Sequence, residues 1–282
     1  MKKYLSLIKF SHTVFALPFA LIGFFIGTRE TGTGMNWRLF ILVVCAMVFA
    51  RSAAMAFNRY IDRDYDKANP RTKSREIPAG LIRPGSALFF VILNCALFMT
   101  SALLINSICF YLSPLALSII LGYSYTKRFT ALCHVFLGIG LSLAPIGAFL
   151  AVTGHFAVLP LLFSFSVLFW VAGFDIIYAL QDQEFDKSLG LKSMPAFLGK
   201  SGALTLSSVL HSITFLLLIA AGYRASFGIL YWCGFVIFSA LLAYQHTLVK
   251  PDNLEKVNQA FATTNGIASV LFSCFVIAEL WT

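Results

Sequence analysis

Residues 58–80 read NRYIDRDYDKANPRTKSREIPAG. This is the most polar passage in a chain of 282 residues of which 59% are hydrophobic, and it stands between two apolar stretches, 37–57 and 85–106. Each stretch is long enough to cross a bilayer, which takes roughly 17 to 25 apolar residues. A polar loop in that setting lies at a membrane surface, so the chain around it is an all-α integral membrane protein. Composition agrees: charged residues make up only 12% of the chain, against about 25% in soluble domains, and mean hydropathy is +0.83. Further apolar stretches at 12–28, 108–125, 132–153, 157–180, 203–223, 226–245 and 261–281 complete a set of nine predicted transmembrane helices. The segment FSHTVFALPFALIGFFIG runs to spanning length with no small-residue cleavage site, so it reads as the first of these helices rather than a signal peptide.

Basic residues set the predicted topology. With the amino terminus cytoplasmic, the loops after the second, fourth, sixth and eighth helices share its side and bring 17 of the 21 Lys and Arg residues together there. Arg29, Arg38 and Arg224 fall on the other side. That asymmetry follows the positive-inside rule and places the polar loops on the cytoplasmic face of a cell inner membrane. The formal charge of +9 thus reports orientation in a lipid bilayer, and no nucleic-acid partner is needed to explain it.

A second polar island, FDIIYALQDQEFDKSLGLKSMPAFLGKSGAL at 174–204, echoes the first. Asp62, Asp66 and Lys67 correspond to Asp182, Asp186 and Lys187, Pro78-Ala79 to Pro195-Ala196, and Gly85-Ser86-Ala87-Leu88 to Ser201-Gly202-Ala203-Leu204. The spacing predicts a single membrane domain of two related four-helix halves, about 12–125 and 132–245, around a central cavity with cytoplasmic cap loops, and an extra helix at 261–281.

Helical periodicity then assigns faces. Asn58, Asp62 and Asp66 recur every four residues and Arg51 lies seven before Asn58, so all four share one face if the second helix runs on into the loop. Asp175, Asp182 and Asp186 do the same in the second island, whereas Asp64 points away and is expected to be solvated. Arg51 and Asp175 lie about two turns inside the membrane, where ionisable groups signal function. Carboxylate clusters of this kind suit magnesium, which takes oxygen ligands and commonly bridges one or two carboxylates to substrate phosphates. With Arg71, Lys73, Arg75, Lys127 and Arg128 in loops on the same predicted face, the pattern points to a diphosphate held through Mg2+ above an apolar pocket suited to an isoprenyl chain.

Segments 51–80 and 175–199, together with YSYTK at 123–127, resemble the signatures of the UbiA superfamily of intramembrane aromatic prenyltransferases. Asn58, Asp62 and Asp66 match its N-x-x-x-D-x-x-x-D element, Tyr123 and Lys127 its Y-x-x-x-K element, and Asp175, Asp182 and Asp186 its second aspartate motif. IKFSHTVFALPFALIGFF and REIPAG are similar to the 4-hydroxybenzoate polyprenyltransferase branch. The resemblance implies magnesium-dependent transfer of a polyprenyl group from a prenyl diphosphate to an aromatic acid, in ubiquinone or menaquinone biosynthesis. Asp62, Asp66, Asp182 and Asp186 would hold magnesium, directly or through water, with Asn58 supporting them. Lys127, Arg71 and Arg75 would hold diphosphate oxygens, and Tyr123 would orient Lys127 or the diphosphate. Arg51 would receive the acceptor carboxylate or else serve as a structural partner for a helix carbonyl or Asp175. Asp175 would polarise the acceptor hydroxyl or accept a ring proton. Two positions depart from the family pattern: Arg59 follows the motif asparagine where Asp is common, and Glu76 follows the loop arginine where Pro is common.

The remaining signals are plainer. Six cysteines lie singly in apolar stretches with no C-x-x-C spacing and are expected to be small buried side chains. His12, His134, His155, His211 and His246 show no metal-ligand spacing and are expected at interfaces or in packing. Gly80, Gly190 and Gly199 are expected in turns. A transporter with repeated halves also fits the echo and Arg51, but it gives no reason for aspartates clustered at helix ends.

Overall fold

A computed structural model describes residues 2–8 and 15–282, and the regular elements in that range are all helices. Short helix α1 (Lys2–Leu7) is followed by α2 (Leu17–Thr31), α3 (Trp37–Ile61), α4 (Arg63–Ala68), α5 (Pro84–Ile105), α6 (Ser107–Thr126), α7 (Cys133–Thr153) and α8 (Val158–Ala179). A 3-10 turn (Leu180–Asp182) leads into α9 (Gln183–Ser188), then α10 (Met194–Arg224), α11 (Ile229–Leu248), a π turn (Gln259–Thr264) and α12 (Asn265–Leu280). Eight described spans are long and apolar enough to cross a membrane. The first predicted helix corresponds to the 15-residue α2, and its expected start at residue 12 lies outside the described residues. The predicted division between 85–106 and 108–125 matches the structure. Asn106 interrupts the helix and its side-chain Oδ1 accepts from Cys109 N–H at 2.9 Å, satisfying an amide that the helix start leaves open.

The chain forms two compact units: the described residues of Met1–Thr13 with Trp37–Tyr125, and those of Val14–Asn36 with Thr126–Thr282. In the first unit a cluster of Leu7, Ile8, Ala56, Ile77, Ile82, Ala87 and Val91 joins α1, α3 and α5. Ile77 belongs to the polar loop and Ile82 closely follows it, so burying them, at roughly 1.5–3 kcal/mol each, pins that loop to the helices. Facing outward are residues such as Phe89 and Ile92, 66% and 59% exposed, as expected where the surroundings are lipid.

In the second unit α2 packs against α7 and α12, and α8 lies between α7 and α10. Small residues allow these crossings. A side chain on Gly23 would meet the Pro145 carbonyl oxygen at 2.0 Å, and one on Gly138 the Leu168 carbonyl oxygen at 2.4 Å. The core is aromatic: Phe19, Phe174 and Phe238 surround Trp170, whose indole N–H donates to Asn265 Oδ1 at 2.9 Å. Asn265 Nδ2 in turn donates to the carbonyls of Ala260 and Phe261 within the π turn. The ring of Phe174 therefore packs in this core.

One expectation is corrected. None of the six cysteines, all free thiols, is fully buried, and Cys233 and Cys274 are exposed; on helices surrounded by lipid a thiol gains little by facing inward. The histidines are discussed below. The expected turns hold: Gly80, Gly190 and Gly199 have φ of 72°, 66° and 74°, and Gly199 breaks α10 near its start.

Candidate active site

The two aspartate motifs adopt the same local structure. In the first unit α3 reaches Ile61 and the chain breaks at Asp62 (φ −91°, ψ 7°) before α4. In the second, Asp182 (φ −102°, ψ 4°) makes the equivalent break before α9. Each aspartate thus precedes a six-residue helix. Backbone bonds Asp62 N–H to Asn58 O (2.9 Å) and Asp66 N–H to Asp62 O (2.7 Å) carry the four-residue rhythm across the break. Asn58 Nδ2 donates to Asp62 Oδ2 at 3.0 Å.

Asp66 and Asp186 stand fourth in their short helices, 6% and 0% exposed respectively. Arg75 Nη1 lies 2.6 Å from Asp66 Oδ1, and Lys127 Nζ lies 2.7 Å from Asp186 Oδ1. The second oxygen of each carboxylate is buried without a hydrogen-bond partner. Buried carboxylate oxygens are rarely left in that state, so the donor set fits a hard cation. Among the described residues no three His, Cys, Asp or Glu side chains gather into a metal cage; magnesium needs none, because it binds one or two carboxylates and keeps waters. Asp64 is 84% exposed at its side chain, as its position between the motif aspartates predicts.

The loops are folded so as to return a base to each aspartate. Before Pro70 the chain is extended at Asn69 (ψ 119°), which ends α4. Asn69 Oδ1 then accepts from Arg71 N–H at 2.9 Å, and Thr72 Oγ1 donates to Asp66 O at 3.0 Å, bringing Arg75 back to the start of the loop. Arg71 itself is exposed. In the second unit Leu191 N–H donates to Asp186 O at 2.9 Å, Lys192 N–H to Lys127 O at 2.8 Å, and Gln183 Nε2 to Pro195 O at 2.8 Å. These bonds hold Lys127 beside Asp186.

Arg51 lies on α3, and its Nε is buried without a hydrogen-bond partner. Tyr123 of α6 is close enough to interact with it electrostatically. Asp175 of α8 retains 23% of its side-chain surface, and its Oδ2 lies 2.7 Å from His134 Nδ1. Sequence spacing misses this contact, because His134 precedes Asp175 by 41 residues. The usable signal is the helical hairpin: His134 lies 19 residues before the end of α7 and Asp175 lies 17 after the start of α8, so the two sit at similar depth. The other histidines also make specific bonds. His211 Nδ1 is 2.8 Å from His246 Nε2, and His155 Nε2 is 2.8 Å from Glu30 Oε1; His12 lies outside the described residues. The departures from the family pattern, Arg59 and Glu76, are accommodated locally: Arg59 is buried, and Glu76 accepts a hydrogen bond from Ser6.

The UbiA prenyltransferase family model matches residues 16–271. A 4-hydroxybenzoate octaprenyltransferase of Paraburkholderia phytofirmans is 30% identical over 240 residues, covering 84% of this chain and 82% of the relative. The apo structure of a UbiA homolog from Aeropyrum pernix K1 superimposes with a TM-score of 0.85 at 32% identity, covering 95% of this chain and 98% of that one. A UbiA homolog from Archaeoglobus fulgidus, bound to DMAPP and Mg2+, gives a TM-score of 0.74 at 25% identity, covering 99% of both chains. On this agreement of sequence, local geometry and fold, the chain belongs to the UbiA prenyltransferase family.

Proposed function

We propose that the chain is a multi-pass, magnesium-dependent prenyltransferase that moves a polyprenyl group from a prenyl diphosphate to an aromatic acid, 4-hydroxybenzoate or a close analogue, in quinone biosynthesis. The observation that carries this reading is the state of Asp66 and Asp186: each buried, each with one oxygen on a base and the other without a partner. The naming of the octaprenyltransferase relatives and the DMAPP and Mg2+ of the Archaeoglobus protein support it. The amino terminus and both aspartate loops face the cytoplasm of a cell inner membrane.

In this reading Asp62, Asp66, Asp182 and Asp186 hold Mg2+, directly or through water, and Asn58 orients Asp62. Magnesium, when bound, offsets the charge of the departing diphosphate. Lys127, Arg71 and Arg75 stabilise the same charge as the allylic carbon–oxygen bond breaks and its electron pair leaves with the diphosphate. Arginine has further donors beyond the one engaged at Asp66, which suits it to diphosphate oxygens. A ring carbon of the acceptor then bonds to the allylic cation, and Asp175 takes the ring proton. Arg51, supported by Tyr123, receives the acceptor carboxylate.

The test is prenyl transfer by purified protein in lipid nanodiscs, using radiolabelled prenyl diphosphates, a panel of aromatic acids, and either Mg2+ or a chelator. Carbon-prenylated acid should form only with the metal and fall more than about 100-fold, a change near 2.7 kcal/mol in barrier, in Asp62→Ala and Asp182→Ala. Undiminished transfer in both variants would contradict the metal assignment. Substrate movement across the bilayer without product would favour a transporter instead.

A further inference from the structure

His134 is 3% exposed and has both ring nitrogens engaged. Met194 N–H donates to Nε2 at 3.3 Å, and Nδ1 lies 2.7 Å from Asp175 Oδ2. In a neutral imidazole the nitrogen that accepts carries no proton, so these partners place the proton on Nδ1, where it donates to Asp175. The contact therefore has a direction, set by a backbone amide at the start of α10. Asp175 is more open than the histidine, at 23% of its side-chain surface against 4%, and with Oδ2 committed its Oδ1 is left to meet a ligand.

We propose that His134 is a positioning residue for Asp175, fixing the carboxylate through Nδ1 while Nε2 anchors the ring to the first residue of α10. This rests on the reading of Asp175 as the group that meets the acceptor. A carboxylate on a single helix has freedom about its two side-chain torsions, and a buried donor at 2.7 Å removes most of it. Met194 lies two residues after Lys192, whose N–H bonds the Lys127 carbonyl, so the ring is tied to the same segment that holds Lys127.

Two amide substitutions separate the roles of the ring. His134→Asn places an amide near Nδ1 and keeps a donor for Asp175. His134→Gln places one near Nε2 and keeps the Met194 contact alone. The expected order of kcat is wild type and His134→Asn within about threefold, with His134→Gln and His134→Leu lower by roughly 10–100-fold, the range seen when an orienting partner is removed. KM for the prenyl diphosphate should stay within about twofold. Because the two amides are of like polarity, the comparison stands even where His134→Leu does not fold. His134→Gln performing as well as His134→Asn would overturn the positioning role, provided Asp175→Asn has lost activity in the same assay. An Asp175→Asn enzyme at the wild-type rate would instead remove the reading of Asp175 itself.

Discussion

Lys127 Nζ lies 2.7 Å from Oδ1 of Asp186, a residue with 0% of its surface exposed. The lysine is the cation that makes this buried carboxylate tolerable, while its own side chain stays 35% exposed and within reach of a ligand. The pair therefore links stability to chemistry, and the two effects separate by substitution. Lys127→Met should lower stability by roughly 1–3 kcal/mol, the penalty for a buried polar group left without its partner, and should abolish prenyl transfer. Lys127→Arg should recover most of the stability with little of the activity, since a planar fork cannot occupy the site of a compact ammonium. Thermal unfolding in detergent alongside the transfer assay measures both; equal loss of stability in the two variants would refute the role of charge.

Arg75 holds Asp66 from nine residues further along the chain, closing the first polar loop. Arg75→Ala should open that loop. Limited trypsin digestion should then cut after Arg71 and Lys73 about tenfold faster, as local opening governs proteolysis. Unchanged cleavage would mean that Thr72 and the buried Ile77 and Ile82 close the loop without help.

The buried Nε of Arg51 has no hydrogen-bond partner. If the guanidinium receives the acceptor carboxylate, Arg51→Ala should raise KM for the aromatic acid at least tenfold, about 1.4 kcal/mol, and leave a neutral phenol unaffected. Equal loss with both acceptors would show that Arg51 serves the helix packing instead.

The crossing of α2 and α7 depends on a missing side chain. Gly23→Leu drives carbon into the Pro145 carbonyl and should destabilise the protein by roughly 3 kcal/mol or more. Gly147→Ala is the control: apart from its own stretch of helix nothing lies within 4 Å of the added carbon, so the change should be neutral or stabilising by up to about 1 kcal/mol. Unfolding midpoints in one detergent compare the two directly.

What the sequence discloses here is what local physics determines. Asn58, Asp62 and Asp66 could be placed on one face because helical spacing is periodic, and Asp64 could be placed in solvent for the same reason. Gly80, Gly190 and Gly199 were legible because few other residues accept a left-handed backbone. The pairing of Lys127 with Asp186 and of His134 with Asp175 was not, since each joins residues tens of positions apart and depends on how helices cross. The thiols misled for a reason specific to membranes: with lipid outside, hydrophobicity no longer tells the inside of a bundle from its surface.

The seat of α2 against α7 and α12 imposes an order on biogenesis. Ribosomes make α2 early, yet α7 begins only at Cys133. At about 5–20 residues per second of synthesis, the newborn helix waits on the order of 5–20 s before α7 emerges, and longer for α12. During that interval its glycine-lined face lacks the partners it has in the finished fold. Assembly of the second unit therefore waits on the last helices of the chain to be made.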